Sequence, residues 1–203
     1  MTAALQLPSL DNPRLLDDKQ DWTVDDLASL PQDLRYELID GRLILPSPTL
    51  FHQKVCVRLS LMLEPHCPPS HTPAVDLSLQ VDLRNEPRPD VVVVRKAYAF
   101  RAPVPVEGAL LVAEVVSPTS HFRDMHAKWK VYAANRVRTY LLIDPTFEGG
   151  VVLTEFRLGE NGQYDTIAST NKIFTTDVPY PITIDVPALT GLRDEYRKAQ
   201  DDL

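Results

Sequence analysis

Apolar and polar positions change period several times along the chain, and each change marks an element. Trp22-Thr23-Val24-Asp25-Asp26-Leu27 predicts a short helix. Thr23 is placed to cap it by accepting an unpaired backbone N–H, while Asp25 and Asp26 face the positive end of the helix dipole. Tyr36 to Ile44 predicts a hairpin, two alternating strands joined at Asp40-Gly41, a dipeptide that accepts the backbone of a tight turn. Ser47-Pro48 then reads as the cap and first-turn pair of a helix. In that helix Val55, Leu59 and Met62 recur at helical spacing, and Pro65, Pro68 and Pro69 end it.

A period of two comes next. Val75, Leu77, Leu79, Val81 and Leu83 alternate with Asp76, Ser78, Gln80 and Asp82, which predicts a half-buried strand with one polar face. Two apolar runs without clean alternation follow, Val91–Val94 and Leu110–Val116, as expected of strands covered on both sides. Residues 119–135 predict a helix whose Met125, Trp129 and Ala133 form the stripe that packs on a sheet. Tyr140–Asp144 reads as a strand beyond it, so that helix is the crossover of a right-handed parallel pair. Further strands are expected at Val151–Leu158, Tyr164–Ala168 and a closing Pro179–Val186 segment. There is no internal repeat or linker. The expected organisation is a loose arm over 1–20, one α/β domain over 21–192, and a charged, helical, exposed tail over 193–203.

Bulk properties narrow the picture. At 203 residues and 44% hydrophobic content the chain can bury one sizeable core. No apolar stretch approaches the roughly 20 residues of a membrane span, and the start lacks a basic, then apolar, leader. The expectation is a cytoplasmic protein without a membrane partner. Cys56 and Cys67 follow no CxxC pattern, so reduced thiols are expected. A net charge of −7 argues against an indiscriminate polyanion binder. Residues 84–138 nevertheless hold ten Lys/Arg against five Asp/Glu.

That basic stretch contains the candidate chemistry. Asp90 immediately precedes one apolar run and Glu114 lies inside the other. A carboxylate within a buried strand must be paired, hydrogen-bonded or metal-bound, because an isolated buried charge costs several kcal/mol or more. On the following helix Asp124, Lys128 and Tyr132 share a stripe bordering the apolar face. Lys130 lies about 200° round the helix from Lys128 and points outward. Carboxylates are hard donors suited to Mg²⁺ or Mn²⁺. A bound metal activates water, and a lysine can position it or neutralise developing charge. Asp124 can pair with Lys128. The plain alternative has Asp90 bonding its own turn and Glu114 bridging a helix lysine in the core. His52-x-x-x-Cys56, with His66, Cys67 and His71, carries zinc-binding residue types without paired-knuckle spacing, and Cys56 reads more simply as a small buried residue. A two-carboxylate glycosidase would need sugar-stacking aromatics, which do not cluster near Asp90 or Glu114.

The ordered segments Tyr36-Glu37-Leu38-Ile39-Asp40-Gly41, Pro46-Ser47-Pro48 with His52-Gln53, Pro89-Asp90-Val91, Ala113-Glu114-Val115-Val116-Ser117-Pro118 and Asp124-x-x-x-Lys128-x-x-x-Tyr132 resemble the Uma-two family of restriction endonucleases within the PD-(D/E)XK nuclease superfamily. The resemblance runs from about Trp22 to Pro145, more loosely to Leu192. It implies a restriction-endonuclease-like α-β-β-β-α-β core with a mixed central sheet, an N-terminal hairpin and a C-terminal β extension. It also implies a metal held by Asp90, Glu114 and the Val115 carbonyl. Val116 stands where the superfamily places its lysine. In Uma-two-like sequences that lysine lies on the next helix, which here is Lys128. Glu37 and His52 match family positions too. Glu37 reads either as an added acidic ligand through water or as a partner of Arg35 or Arg42, and His52 as a structural residue more readily than a phosphate contact. The expected activity is metal-dependent cleavage of DNA. A homodimer would supply two sites for two strands. The competing expectation is a catalytically silent binding or assembly module on the same fold.

Overall fold

The computed structural model describes residues 21–31, 34–117 and 122–202, with side chains omitted over 122–125. The expected arm over 1–20 lies outside the described residues. A short helix α1 (Val24–Leu27) leads into the hairpin β1 (Glu37–Ile39) and β2 (Arg42–Ile44), paired antiparallel. Asp40 and Gly41 take φ of 51° and 75°, the left-handed turn that the dipeptide predicts. Thr23 does cap α1, but not as expected. Its N–H and its hydroxyl both donate to the Asp26 carboxylate, at 2.8 and 2.7 Å.

Helix α2 (Leu50–Leu63) starts two residues later than Ser47-Pro48 suggests. Its cap is Thr49, whose hydroxyl accepts the His52 N–H at 3.2 Å. Val55, Cys56, Leu59 and Leu63 form the buried stripe, with Met62 partly buried beside them.

The central sheet has six strands in the order β10 (Tyr164–Thr170), β9 (Val152–Leu158), β8 (Thr139–Asp144), β7 (Ala109–Val115), β5 (Val91–Arg95) and β3 (His71–Val75). Only β7 and β8 run parallel, on either side of the crossover helix α3 (Phe122–Ala134). The predicted half-buried strand over 75–83 does not form. Asp76 adopts φ 52°, which turns the chain out of the sheet after Val75. Only Leu79–Gln80 remains extended, as β4, and it pairs in parallel with β6 (Val104–Pro105). Leu83, expected inside, is 61% exposed. The alternation there is real, but the segment lacks a partner strand long enough to use it.

Each face of the sheet has its own core. On one face Val91, Val93, Leu111, Ala113 and Val115 pack against α2, against a second hairpin of β11 (Ile173–Thr176) and β12 (Ile182–Asp185), and against α4 (Val186–Asp201). On the other, Val92, Val94 and Val112 meet Tyr132, Trp129 and Ala133 of α3. Trp129 sits 5.0 Å from the Phe156 ring, and Lys130 points outward, as its phase on the helix requires. Helix α4 begins before residue 193, and Arg193 is buried, donating to the Phe147 carbonyl at 2.6 Å.

Candidate active site

Strand register brings the two carboxylates together. Val91 pairs with Ala113 across the antiparallel β5–β7 ladder. Continuing that register by one residue sets Asp90 beside Glu114 on a single face. Asp90 is locked there by the Val115 N–H, which donates to its Oδ2 at 2.7 Å.

Lys128 enters from α3 and is buried with both partners. Its ammonium lies 2.7 Å from Glu37 Oε2 and 3.2 Å from Glu114 Oε2, and it donates to the Arg88 carbonyl at 3.3 Å. Two of its N–H donors thus go to Glu114 and Arg88, while Glu37 is held by charge at close range. One turn on, Tyr132 donates to Glu114 Oε1 at 2.9 Å. The stripe of Lys128 and Tyr132 thus grips both oxygens of one carboxylate. Asp124, the expected partner of Lys128, lies as a side chain outside the described residues.

Glu37 pairs with Lys128 rather than with Arg35 or Arg42. The hairpin therefore delivers a third carboxylate to the cluster. Arg35 instead meets Asp76 Oδ2 at 3.1 Å, and Arg88 binds Asp76 Oδ1 at 2.9 Å. Asp76 thereby holds two arginines beside a cleft of about 790 Å³, whose wall includes Glu37, Asp90, Glu114 and Lys128. Nothing in the local sequence around Asp76 signals this. The basic stretch contains Arg88 but gives no hint of its neighbour.

His52, from the first turn of α2, reaches Asp90 Oδ1 with its Nε2 at 3.1 Å. Its Nδ1 is buried and has no partner among the described residues. Cys56, one turn further along α2, also faces Asp90. The ligand atoms of His52, Cys56 and Asp90 all lie within 4.8 Å of one another.

Two carboxylates pair with one ammonium and Asp90 adds a third acidic group nearby, so the acids outnumber the base. Burial drives the Glu114 pKa up to about 8; Asp90 and Glu37 add to the rise, and Lys128 and Tyr132 oppose it. Burial would lower the Lys128 pKa, but Glu114, Glu37 and Asp90 outweigh it and hold the ammonium charged well above its ordinary value. Burial would likewise raise Asp90, but the His52 hydrogen bond, the Lys128 charge and the Val115 N–H bring it below its usual value.

A divalent cation suits this donor set. Asp90 and Glu114, which carry hard carboxylate oxygens, and Val115 all line the cleft, and the surplus of acidic groups is the charge such an ion would offset. Asp90 keeps 20% of its side chain exposed against 6% for Glu114, so Asp90 is the more accessible of the two carboxyl groups.

A family model described as Uma2, "Putative restriction endonuclease", matches residues 24–178. No curated protein matches the chain. Among solved structures, a putative nuclease belonging to DUF820 from Anabaena variabilis is similar at 15% identity and a TM-score of 0.67. That alignment covers 84% of this chain and 98% of the other.

Proposed function

The chain belongs to the Uma2 family of restriction-endonuclease-like proteins, and from that membership and its site we propose that it hydrolyses phosphodiester bonds in DNA with Mg²⁺ or Mn²⁺. Support comes above all from one observation: Glu37 and Glu114, from two separate strands, both pair with Lys128, and Asp90 lines the same cleft. A structural ion pair needs one acid for one base, and here the acids are in surplus.

Asp90, Glu114 and the Val115 carbonyl are the proposed metal ligands. The metal, when bound, polarises the phosphate and lowers the pKa of its water. The remaining work belongs to the chain's own groups. Lys128 holds Glu37 and Glu114 in place and sets a fixed positive charge at the floor of the cleft, where negative charge develops on the phosphate. Tyr132 fixes the orientation of Glu114. His52 orients Asp90 through Oδ1 while the Val115 N–H holds Oδ2. Arg35, 62% exposed, and Arg88 beside it offer guanidinium donors to the nucleic-acid backbone at the cleft wall.

The test is a magnesium and manganese titration of the full chain beside Asp90→Ala, with supercoiled plasmid present. Metal binding and nicking that both disappear in the variant support the reading. Asp90-dependent binding without cleavage of any nucleic acid favours the silent module. Cleavage that persists in Asp90→Ala places the chemistry elsewhere.

A further inference from the structure

Beside Asp90 and His52 stands a thiol, Cys56, that phosphodiester hydrolysis does not use. His52 and Cys56 stand four residues apart on α2, so both project from one side of the helix. That side meets the end of β5, where Asp90 protrudes past the last residue of the ladder. The result is an imidazole, a thiol and a carboxylate with ligand atoms within 4.8 Å of one another. We propose that these three side chains form a second cation site, selective for a thiophilic divalent transition ion such as Zn²⁺, and that it shares Asp90 with the site described above.

Three observations carry this. The donor types are those of zinc centres with three protein ligands and one position left for water. Tetrahedral ligation at zinc–nitrogen and zinc–oxygen lengths of about 2.0–2.2 Å places those two ligand atoms about 3.3 Å apart, and His52 Nε2 lies 3.1 Å from Asp90 Oδ1. Finally, His52, Cys56 and Asp90 all adjoin the same cleft, which gives an ion an entry path and the fourth ligand room. His66, Cys67 and His71 join no such cluster among the described residues.

Ligation replaces the Cys56 S–H bond with a sulfur–metal bond and releases the thiol proton to solvent. His52 binds through Nε2 and carries its own proton on Nδ1. That Nδ1 has no acceptor among the described residues, so the outer-shell support that tightens permanent zinc sites is missing. The site is therefore reversible rather than structural. Mg²⁺ does not compete for sulfur or imidazole, so the two ions meet only at Asp90. On the nuclease reading, from which this consequence follows, Zn²⁺ draws Asp90 Oδ1 toward α2 and withholds it from the hydrolytic metal. Zinc then acts as an inhibitor.

The experiment uses the metal-free full chain titrated with Co²⁺ as a spectroscopic substitute for Zn²⁺. Expected are one ion per chain, a thiolate-to-cobalt charge-transfer band, strong tetrahedral d–d absorption, and loss of both on adding Zn²⁺. Cys67→Ala should keep the band, Cys56→Ala should abolish it, and His52→Gln should weaken binding at least tenfold. His52→Gln also decides the matter if Cys56→Ala fails to fold. In the nicking assay Zn²⁺ should slow wild type at constant Mg²⁺ and spare Cys56→Ala. Absence of a thiolate band in wild type, or a band that survives Cys56→Ala, overturns the site. Equal inhibition of wild type and Cys56→Ala overturns its effect on Asp90. The cobalt spectrum reads the cation site even if no nucleic acid is cut, so the two readings fail separately.

Discussion

Replacing Lys128 with methionine tests whether one ammonium holds the cluster together. Methionine preserves most of the stem's length and apolar contact and removes only the charge and its donors. Lys128 and its two partners Glu37 and Glu114 are all buried. Removing one member of a buried ion pair typically costs about 3–5 kcal/mol, because the partner left behind has neither water nor counter-charge. In a chain of this size each kcal/mol lowers Tm by about 2–4 °C, so a fall of roughly 6–20 °C is expected near neutral pH. The loss should shrink as pH falls below about 8, where Glu114 takes up a proton and no longer needs the ammonium. It should also shrink in the Lys128→Met/Glu37→Gln/Glu114→Gln triple variant, where no uncompensated carboxylate remains around the vacated position. Urea unfolding followed by circular dichroism, at several pH values and without metal, measures each case. A loss below about 1 kcal/mol, the size of an exposed pair, or a loss unchanged by acid, would refute the reasoning.

Tyr132→Phe leaves the buried Glu114 carboxyl without one of its partners and should cost about 1–3 kcal/mol; a loss below about 0.5 kcal/mol would mean the contact with Glu114 Oε1 contributes little. Metal-free stability should decline as pH rises from the ordinary glutamate value of 4.5 toward about 8, since over that window the folded state keeps on Glu114 a proton that the unfolded chain has released. Asp90 acts in the opposite sense: its contribution is present above its ordinary value of 3.8 and fades as pH falls through its lower folded pKa. Stability profiles of wild type and Glu114→Gln should therefore diverge above pH 4.5, and coincident profiles would remove Glu114 from the account.

Local pattern and tertiary structure decided different things about this protein. The hairpin turn at Asp40-Gly41, the doubly covered strands around Val92 and Val112, and the sheet-facing stripe of Trp129 and Ala133 were legible because residue period reports which side of an element is buried. So were Glu114, a charge inside an apolar run that demands a partner, Asp90 at the head of the other run, and Lys128 by its phase on the helix. The strand expected over 75–83 failed for the complementary reason: alternation marks a surface but cannot supply the neighbour that would pair with it. Equally invisible was the pairing of Glu37 with Lys128, 91 positions apart in the chain. The convergence of His52 and Cys56 on Asp90, and the clamp of Arg35 and Arg88 on Asp76, were hidden in the same way. Those contacts depend on strand register and on how α2 and α3 seat against opposite faces of the sheet. These are properties of packing, and no window of neighbouring residues encodes them.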